Sequence, residues 1–176
     1  MEPSAVRREL RARAQQVRAE LHAQWGAAPD RERVLAAPFD RPETPDDAIP
    51  WAAVAVVCDG GAALYLRESG HDHLDWEPPG GRGEPGERPA DTARREVREE
   101  TGVECSVREL LLTETLCWDH GDEGVYPIEQ AVFRAARVAG AAVAREPNVE
   151  VVAWHPIDDL PAGAQYADLL GAPSDE

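Results

Sequence analysis

Lysine is absent from this 176-residue chain, and all 18 of its basic residues are arginine. Against them stand 34 acidic residues, which give a formal net charge of −16 at pH 7. Nonspecific nucleic-acid binding and attachment to an anionic membrane surface both need a positive footprint. The charge balance therefore argues against nucleic-acid and membrane partners, although arginines could still gather in a local patch.

Two explanations compete for this composition. GC-rich coding favours Ala, Gly, Pro and Arg, whereas adaptation to high salt favours an acidic surface that stays soluble while salt screens its self-repulsion. We favour the halophilic explanation. It predicts that dialysis into dilute buffer impairs folding or activity.

Cysteine is also scarce, and no apolar run is long enough to span a membrane. Cys58, Cys105 and Cys117 are odd in number and lack a CxxC spacing, so neither a disulfide framework nor a zinc site is indicated. The first ten residues contain no apolar core of a signal peptide. We therefore expect a reducing, cytoplasmic setting.

The length and the 43% apolar content fit a single domain with a real core.

The first 25 residues predict an amphipathic helix. Apolar residues recur there at steps of three and four, which places on one helix face Val6, Leu10, Ala14, Val17, Leu21 and Trp25. Ser4 is the expected N-cap, and Gly26 is expected to end the helix. The apolar face predicts packing against the rest of the domain or against a partner subunit, as in a homodimer.

Residues 37–50 contain four prolines, which is typical of a linker or of a loop that wraps around the domain. We therefore divide the chain into an N-terminal helix with a proline-rich linker, residues 1–50, and a main domain, residues 51–176. Within the main domain, two β-rich runs flank Asp59-Gly60-Gly61 and predict a β-hairpin. Further strands and a final short helix are expected at 107–118, 125–138, 149–154 and 164–170. Irregular alternation of strands and helices favours an α/β or α+β sandwich over a doubly wound sheet.

A charged helix is predicted over residues 90–101, with Pro89 in its first turn and Gly102 as its C-terminal cap. Three carboxylates share one face near its C-terminus: Glu96, Glu99 and Glu100. They repel one another and oppose the helix dipole, so folding alone gains nothing from them. A bound Mg²⁺ or Mn²⁺ would supply the missing positive charge. The alternative is a solvated surface helix in a chain that is acidic throughout.

The loop before this helix favours the metal site. From Gly81 the pattern is glycine, five residues, Glu87, seven residues and then REVREETGV, residues 95–103. It resembles the signature box of the Nudix hydrolase family at every defined position. Trp76 and the Pro79-Gly80-Gly81 segment also resemble the approach to that box. The clear resemblance covers residues 76–103.

The resemblance implies a Nudix-type α/β/α sandwich around a mixed β-sheet, with residues 51–176 as the Nudix hydrolase domain. Family members hydrolyse a nucleoside diphosphate linked to another moiety, by attack of water on phosphorus. The implied substrate is a nucleotide, a nucleotide sugar or a related molecule, and the implied cofactor is Mg²⁺ or Mn²⁺.

Carried over position by position, the resemblance assigns roles within and just before the box. The metal-binding positions are matched by Glu96, Glu99, Glu100 and the backbone carbonyl of Gly80. Supporting positions that orient these ligands, or that shape the loop, are matched by Arg95, Glu87 and Gly81. We group Arg95 with the three glutamates as the catalytic set.

The general base stays open between Glu96 and residues outside the box. The polar loop 118–124 contributes His120 and Glu123, and Glu150 resembles a late-strand carboxylate of some family members. Each of these three has an alternative interpretation as an ordinary surface residue.

Trp76 is a candidate for stacking on a nucleobase, with packing as the alternative, and Tyr126 and Trp118 are equally ambiguous. His71 and His73 have a spacing that suits a metal ion, yet their loop position favours solvent exposure.

Two other functions compete with the hydrolase. A noncatalytic Nudix-like module that senses a nucleotide would not need the full carboxylate set. A diphosphate isomerase of related fold would depart from the complete box. Enzymes that act on ADP-ribose often carry a proline soon after the box, but residues 110–126 contain none. The accessory signature of coenzyme A enzymes is also absent.

Overall fold

The computed structural model describes residues 2–69 and 76–171. Within them lie two α-helices, α1 (Pro3–Trp25) and α2 (Pro89–Thr101). The strands are β1 (Asp30–Ala36), β2 (Ala52–Asp59), β3 (Ala62–Glu68), β4 (Gly80–Arg82), β5 (Glu104–Asp119), β6 (Val125–Ala139) and β7 (Val149–Pro156). Short 3₁₀ helices occupy Pro45–Asp47, Gly121–Glu123, Ile157–Asp159 and Ala167–Leu169. Neither α-helix is long and apolar enough to cross a membrane.

The strands form one mixed sheet in the order β1-β5-β6-β2-β3-β7, and β4 pairs with β2. Strand β1 is parallel to β5, with Asp30 opposite Thr113. Strand β3 is antiparallel to both β2 and β7. The prediction of an α/β fold with a mixed sheet and an N-terminal helix is confirmed.

The chain divides into two compact units, each assembled from three stretches. The first unit comprises Met1–Ala53, Arg82–Thr92 and Leu110–Val132. The second comprises Val54–Gly81, Ala93–Glu109 and Phe133–Glu176. The first unit therefore holds α1 and the start of α2, and the second holds the part of α2 that carries the three glutamates.

In the first unit, α1 buries the predicted stripe only in part. Its buried residues are Val6, Leu10, Ala14 and Leu21. Val6 and Leu10 form a cluster with Tyr126 of β6. The prediction of Ser4 as N-cap is wrong, because Pro3 occupies the first turn and Glu2 precedes it without a side-chain cap. Proline suits that position, since its fixed φ is already helical and it lacks the N–H that would be unpaired there.

Strand β1 and the segment after it tie the N-terminal residues into this unit. The sequence did not predict β1, whose side chains are mostly exposed. In residues 37–50, Arg13 of α1 donates from Nη1 to the carbonyl of Pro45 at 2.9 Å and from Nη2 to Asp46 at 3.0 Å. Of the two alternatives for 37–50, the structure therefore shows a loop that wraps along α1.

In the second unit, β2 and β3 form the predicted hairpin, with Asp59 opposite Ala62. Gly60 and Gly61 both have positive φ, 56° and 81°, which is the backbone of a type I′ turn and matches strand twist. The inner face of α2 is fully buried at Ala93 and Val97. The predicted final helix is shorter than expected and is a single 3₁₀ turn at Ala167–Leu169.

Candidate active site

The beginning of α2, in the first unit, is fastened by hydrogen bonds from the loop before it. Glu87 Oε2 accepts from Thr92 Oγ1 at 2.7 Å and from the Glu84 N–H at 3.0 Å. Trp51 Nε1 donates to the same Thr92 hydroxyl at 3.1 Å. Any side chain at Gly83 would place Cβ 2.3 Å from the Trp51 ring. Glu87 thus fixes where the helix starts, while its role in orienting the other glutamates stays a prediction.

The last two turns of α2, in the second unit, present the three glutamates. Gly102 adopts φ +73° and its N–H donates to the carbonyl of Arg98 at 3.0 Å, which ends the helix as predicted. Arg95 Nη1 donates to Glu96 Oε1 at 2.7 Å and to Glu99 Oε2 at 3.1 Å. One guanidinium therefore offsets part of the repulsion between these two carboxylates.

Glu100 is the most buried of the three, with 4% of its surface exposed. Its Oε2 accepts a hydrogen bond from the Gly80 N–H at 2.9 Å, and no described basic side chain forms an ion pair with it. Burial raises the pKa of Glu100 to about 9, and the nearby carboxylates of Glu96, Glu68 and Glu146 add to that rise. The Gly80 hydrogen bond opposes the rise without cancelling it.

The Gly80-Gly81 segment lies against these side chains. A Cβ at Gly81 would stand 2.6 Å from both Cδ and Oε1 of Glu96. A side chain at this position would displace the Glu96 carboxylate from its present place beside the backbone. Gly80 thus lies next to Glu100, and Gly81 lies next to Glu96. Predicted site residues from before and after Glu87 in the sequence are therefore close together in the structure.

Glu68 and Glu146 were missed by sequence reasoning. Glu68 ends β3, and both residues act on the pKa of Glu100. Burial also raises the pKa of Glu96, against the effect of Arg95, and Glu99 and Glu146 add to that rise. The N–H of Arg145 donates to the backbone carbonyl of Glu100 at 3.0 Å, which holds the chain next to Glu146 beside α2. Neither glutamate lies in a motif, so no local signal in the sequence points to it.

The candidates from loop 118–124 lie in the first unit, where each already has partners. His120 makes edge-to-face contacts with Phe39 and Tyr126, at centroid distances of 5.8 and 5.2 Å. Glu123 accepts from Arg41 Nε at 3.0 Å. Trp118 packs edge-on against Phe39 at 5.1 Å. The structure thus places these residues in a cluster of rings and an ion pair within that unit.

The other candidates lie in the second unit. Glu150 is exposed on β7 and makes no hydrogen bond or ion pair with any described residue. Trp76 is half-buried, with the Arg67 guanidinium 4.9 Å from its ring centroid and His155 edge-on at 4.4 Å. These contacts fit the packing alternative for Trp76. His71 and His73 lie outside the described residues.

Comparison with known proteins identifies the family. The family model for the NUDIX domain matches residues 48–171, more than half of the chain. The chain belongs to the Nudix family. It is therefore a hydrolase, and residues 81–103 are its Nudix box. A search of curated proteins gives no match.

Solved structures agree on the fold. A MutT Nudix hydrolase from Burkholderia pseudomallei is 23% identical, with a TM-score of 0.54, over 66% of this chain and 89% of the other. An ADP-ribose pyrophosphatase from Streptococcus suis is 16% identical, with a TM-score of 0.50, over 72% of this chain and 93% of the other. A UDP-X diphosphatase is 20% identical, with a TM-score of 0.50, over 87% of this chain and 63% of the other. At these identities the likeness establishes a shared fold.

The Nudix box residues fit a divalent cation by their chemistry. Nudix enzymes generally use divalent metal cations, and carboxylate and carbonyl oxygens are the donors that Mg²⁺ and Mn²⁺ prefer. In residues 2–69 and 76–171, however, no group of three or more Asp, Glu, His or Cys side chains converges closely enough to hold an ion. Glu96 and Glu99 are turned to Arg95, and Glu100 to Gly80. Ion binding would therefore require the first two carboxylates to exchange Arg95 for the cation.

Proposed function

We propose that this Nudix hydrolase cleaves a pyrophosphate bond in a nucleoside diphosphate linked to another moiety, using Mg²⁺ or Mn²⁺. The observation that carries the proposal is the environment of Glu100. It is a buried carboxylate with three like charges around it and a single backbone N–H as compensation. Such an arrangement costs folding free energy, and a divalent cation would turn that cost into binding.

The cation would be held by Glu96, Glu99, Glu100 and the backbone carbonyl of Gly80. When bound, it would neutralise the diphosphate and activate the attacking water. The cation would also offset the net charge of −16, which opposes the approach of an anionic substrate.

The chain's own residues supply positioning and proton transfer. Arg95 holds Glu96 and Glu99 side by side, and it remains as a counter-charge next to them once they turn to another partner. Gly81 gives Glu96 the space to lie against the loop. We assign the general base to Glu96. Of the four base candidates, it is the one whose described contacts lie within the box. The candidates to be tested against it are Glu150, His120 and Glu123.

The substrate class follows from the same proposal. Two of the similar structures are named for substrates that contain a nucleoside diphosphate, ADP-ribose and UDP-X. We carry over to this chain the class that they share, a nucleotide or nucleotide sugar, without choosing a base or a sugar. Trp76 is our candidate for contact with the nucleobase, through the part of its half-buried ring that is not covered by Arg67 or His155.

We also propose that residues 51–176 form the hydrolase domain and that residues 1–50 are an N-terminal segment integrated with it. Burial of Val6 and Leu10 against Tyr126, and the pairing of β1 with β5, support integration. A cytoplasmic setting, adaptation to high salt and a homodimer are further parts of the proposal, and gel filtration tests the last of them.

The decisive experiment is a substrate panel with the full-length protein. Nucleoside triphosphates, ADP-ribose, dinucleoside polyphosphates and nucleotide sugars are assayed with Mg²⁺ and with Mn²⁺, at low and at multimolar salt. We expect turnover of at least one compound that contains a nucleoside diphosphate, dependent on the metal and abolished by EDTA. Product analysis should show cleavage between two phosphorus atoms.

The same panel tests the competing noncatalytic module. Nucleotide binding by calorimetry without product from any compound, metal or salt concentration would identify a sensor and refute the hydrolytic proposal. Turnover that persists in EDTA would instead refute the metal. If activity and melting temperature are the same at both salt concentrations, the halophilic explanation fails while the hydrolase stands.

A further inference from the structure

An open cavity of about 550 Å³ in the first unit is basic, in contrast to the rest of the chain. It is lined by Arg7, Arg8, Arg11, Asp122, Gly124 and Val125. Its volume falls in the range of small-molecule sites, roughly 300–1,000 Å³. Three guanidinium groups against one carboxylate give it a net positive charge, although the chain as a whole carries −16.

The positive charge of this cavity is not balanced by ion pairs. Neither Arg8 nor Arg11 makes a hydrogen bond or ion pair with any described residue, whereas Arg13 and Arg18 on the same helix both pair with carboxylates. Arg7 and Arg11 are four residues apart on α1, so their charges face the same side and repel. Folding gains nothing from this placement, and a bound anion would relieve it.

Arg7 is already held in place. Its Nη1 donates to the backbone carbonyl of Glu123 at 3.1 Å, and its guanidinium lies 5.8 Å from the ring centroid of Tyr126. A Cβ at Gly124 would stand 2.4 Å from Nη1, and Gly124 also adopts φ +96°. The positive φ favours glycine there, and glycine leaves room for the guanidinium beside the backbone. The carbonyl uses one of the five N–H donors of Arg7, so others remain for a ligand.

We infer that this arginine pocket, Arg7, Arg8 and Arg11, binds a small anion that carries phosphate. Planar guanidinium forks match phosphate oxygens with paired, charge-assisted hydrogen bonds. A membrane or nucleic acid would bring its dense negative charge against the acidic surface as a whole, whereas a small molecule meets only the pocket. The pocket does not depend on the proposed function, because it contains none of the box residues.

The acidic residues beside the pocket predict which substitutions strengthen anion binding and which weaken it. Glu123 is neutralised by Arg41, whose Nε lies 3.0 Å from its Oε1. Asp122 lines the pocket and makes no ion pair with a described residue, so it opposes an anion. Removing the charge of Asp122 should therefore strengthen binding, while removing an arginine should weaken it.

The test is calorimetric titration of the full-length protein in EDTA, at the lowest salt concentration at which circular dichroism shows the wild type folded, with AMP, inorganic pyrophosphate and adenosine as probes. EDTA excludes binding through a metal ion at the box. We expect AMP or pyrophosphate to bind and adenosine not to bind. Arg8→Ala and Arg11→Ala should each weaken binding about tenfold, the worth of a charge-assisted hydrogen bond, and Asp122→Asn should tighten it about threefold.

Two control variants make the result specific. Arg108→Ala removes one positive charge from an exposed residue without a described partner, and Glu100→Gln alters the box. Both should leave the Kd within about twofold, because neither residue lines the pocket. Circular dichroism melting verifies that every variant is folded. The inference is overturned if the wild type binds neither AMP nor pyrophosphate, if adenosine binds equally, or if Arg108→Ala weakens binding as much as Arg11→Ala.

Discussion

Two buried glutamates in this chain are compensated in opposite ways. Glu129, in the first unit, is fully buried, and both of its oxygens accept from Arg18, Oε1 from Nε at 3.0 Å and Oε2 from Nη2 at 3.1 Å. The hydroxyl of Thr115 also donates to it at 2.9 Å. Glu100, in the second unit, is 4% exposed and receives one backbone N–H, from Gly80.

The difference shows that burial alone does not mark a functional carboxylate. Burial raises the pKa of both groups, but at Glu129 the cation of Arg18 and the hydroxyl of Thr115 oppose the rise, although Asp30 adds to it. At Glu100 further carboxylates reinforce it. A buried carboxylate with a full set of partners is part of the folded framework, whereas for one surrounded by like charge we propose that a cation from outside is the partner.

Replacing Glu100 with glutamine should have the largest effect on activity without destabilising the fold. We expect Glu100→Gln to lower kcat/KM about 10³-fold, which corresponds to about 4 kcal/mol of transition-state stabilisation. The amide keeps the shape and the acceptor for the Gly80 N–H, but it cannot ionise to bind a cation. Steady-state kinetics and chemical denaturation, measured on the same preparation, separate the two effects.

The metal provides a second readout for the same variant. Saturating Mg²⁺ or Mn²⁺ should raise the melting temperature of the wild type, because a ligand that binds only the folded state stabilises it, and it should raise that of Glu100→Gln much less. Wild-type activity in Glu100→Gln, or an equal metal-induced shift in both proteins, would remove Glu100 from the proposed site.

Removing Arg18, the partner of Glu129, should lower stability and leave activity nearly unchanged, the reverse of the effect of Glu100→Gln. We expect Arg18→Ala to lower the free energy of unfolding by about 2 kcal/mol, because Glu129 stays buried with Thr115 as its remaining hydrogen-bond donor. Arg18 is 29% exposed, which keeps the loss below that of a fully buried pair. Urea denaturation gives the magnitude, and kcat of the folded fraction should change less than about threefold.

Arg108→Ala is the matched control for Arg18→Ala, since it also removes one arginine charge. Its residue is exposed without a described partner, so its stability should stay within about 0.5 kcal/mol of the wild type. Equal stability of Arg18→Ala and Arg108→Ala would show that Glu129 tolerates burial without its partner, and the comparison between the two glutamates would then fail.

Local sequence signals were enough to predict α2 and the hairpin of β2 and β3, but not β4. Pro89 and Gly102 indicated both ends of α2, and the spacing of Glu96, Glu99 and Glu100 placed them on one face. Asp59-Gly60-Gly61 indicated the hairpin of β2 and β3. In each case the responsible residues are neighbours in sequence, so backbone conformation and periodicity are sufficient.

Features made by distant residues could not be predicted in this way. Strand β1 exposes most of its charged side chains and owes its conformation to pairing with β5, more than 80 positions away. Glu68 and Glu146 act on Glu100 only because the fold brings them near it. The pair of Arg18 and Glu129 is 111 positions apart. Single-sequence patterns carry no information on which distant residues meet.

The smallest predicted effect is a pH dependence of the loss in Arg18→Ala. Arg18 lowers the pKa of Glu129, so its removal lets burial raise that pKa further. A carboxyl whose pKa is higher in the folded state binds its proton more tightly there, which favours folding at low pH and loses that advantage as the pH rises. The deficit of Arg18→Ala relative to wild type should therefore grow with pH, by about 1 kcal/mol between pH 5 and pH 8.

Asp30 also faces Arg18, with Oδ1 3.9 Å from Nε, so the source of this pH dependence has to be isolated. The measurement is the free energy of unfolding from urea titrations at pH 5, 6, 7 and 8, for Arg18→Ala in the wild-type background and in a Glu129→Gln background. Glutamine does not titrate, so the deficit caused by Arg18→Ala should be flat across pH in the second background. A deficit that keeps its full slope there would mean that a group other than Glu129 causes the pH dependence, and a flat deficit in both backgrounds would mean that Arg18 does not act on the ionisation of Glu129.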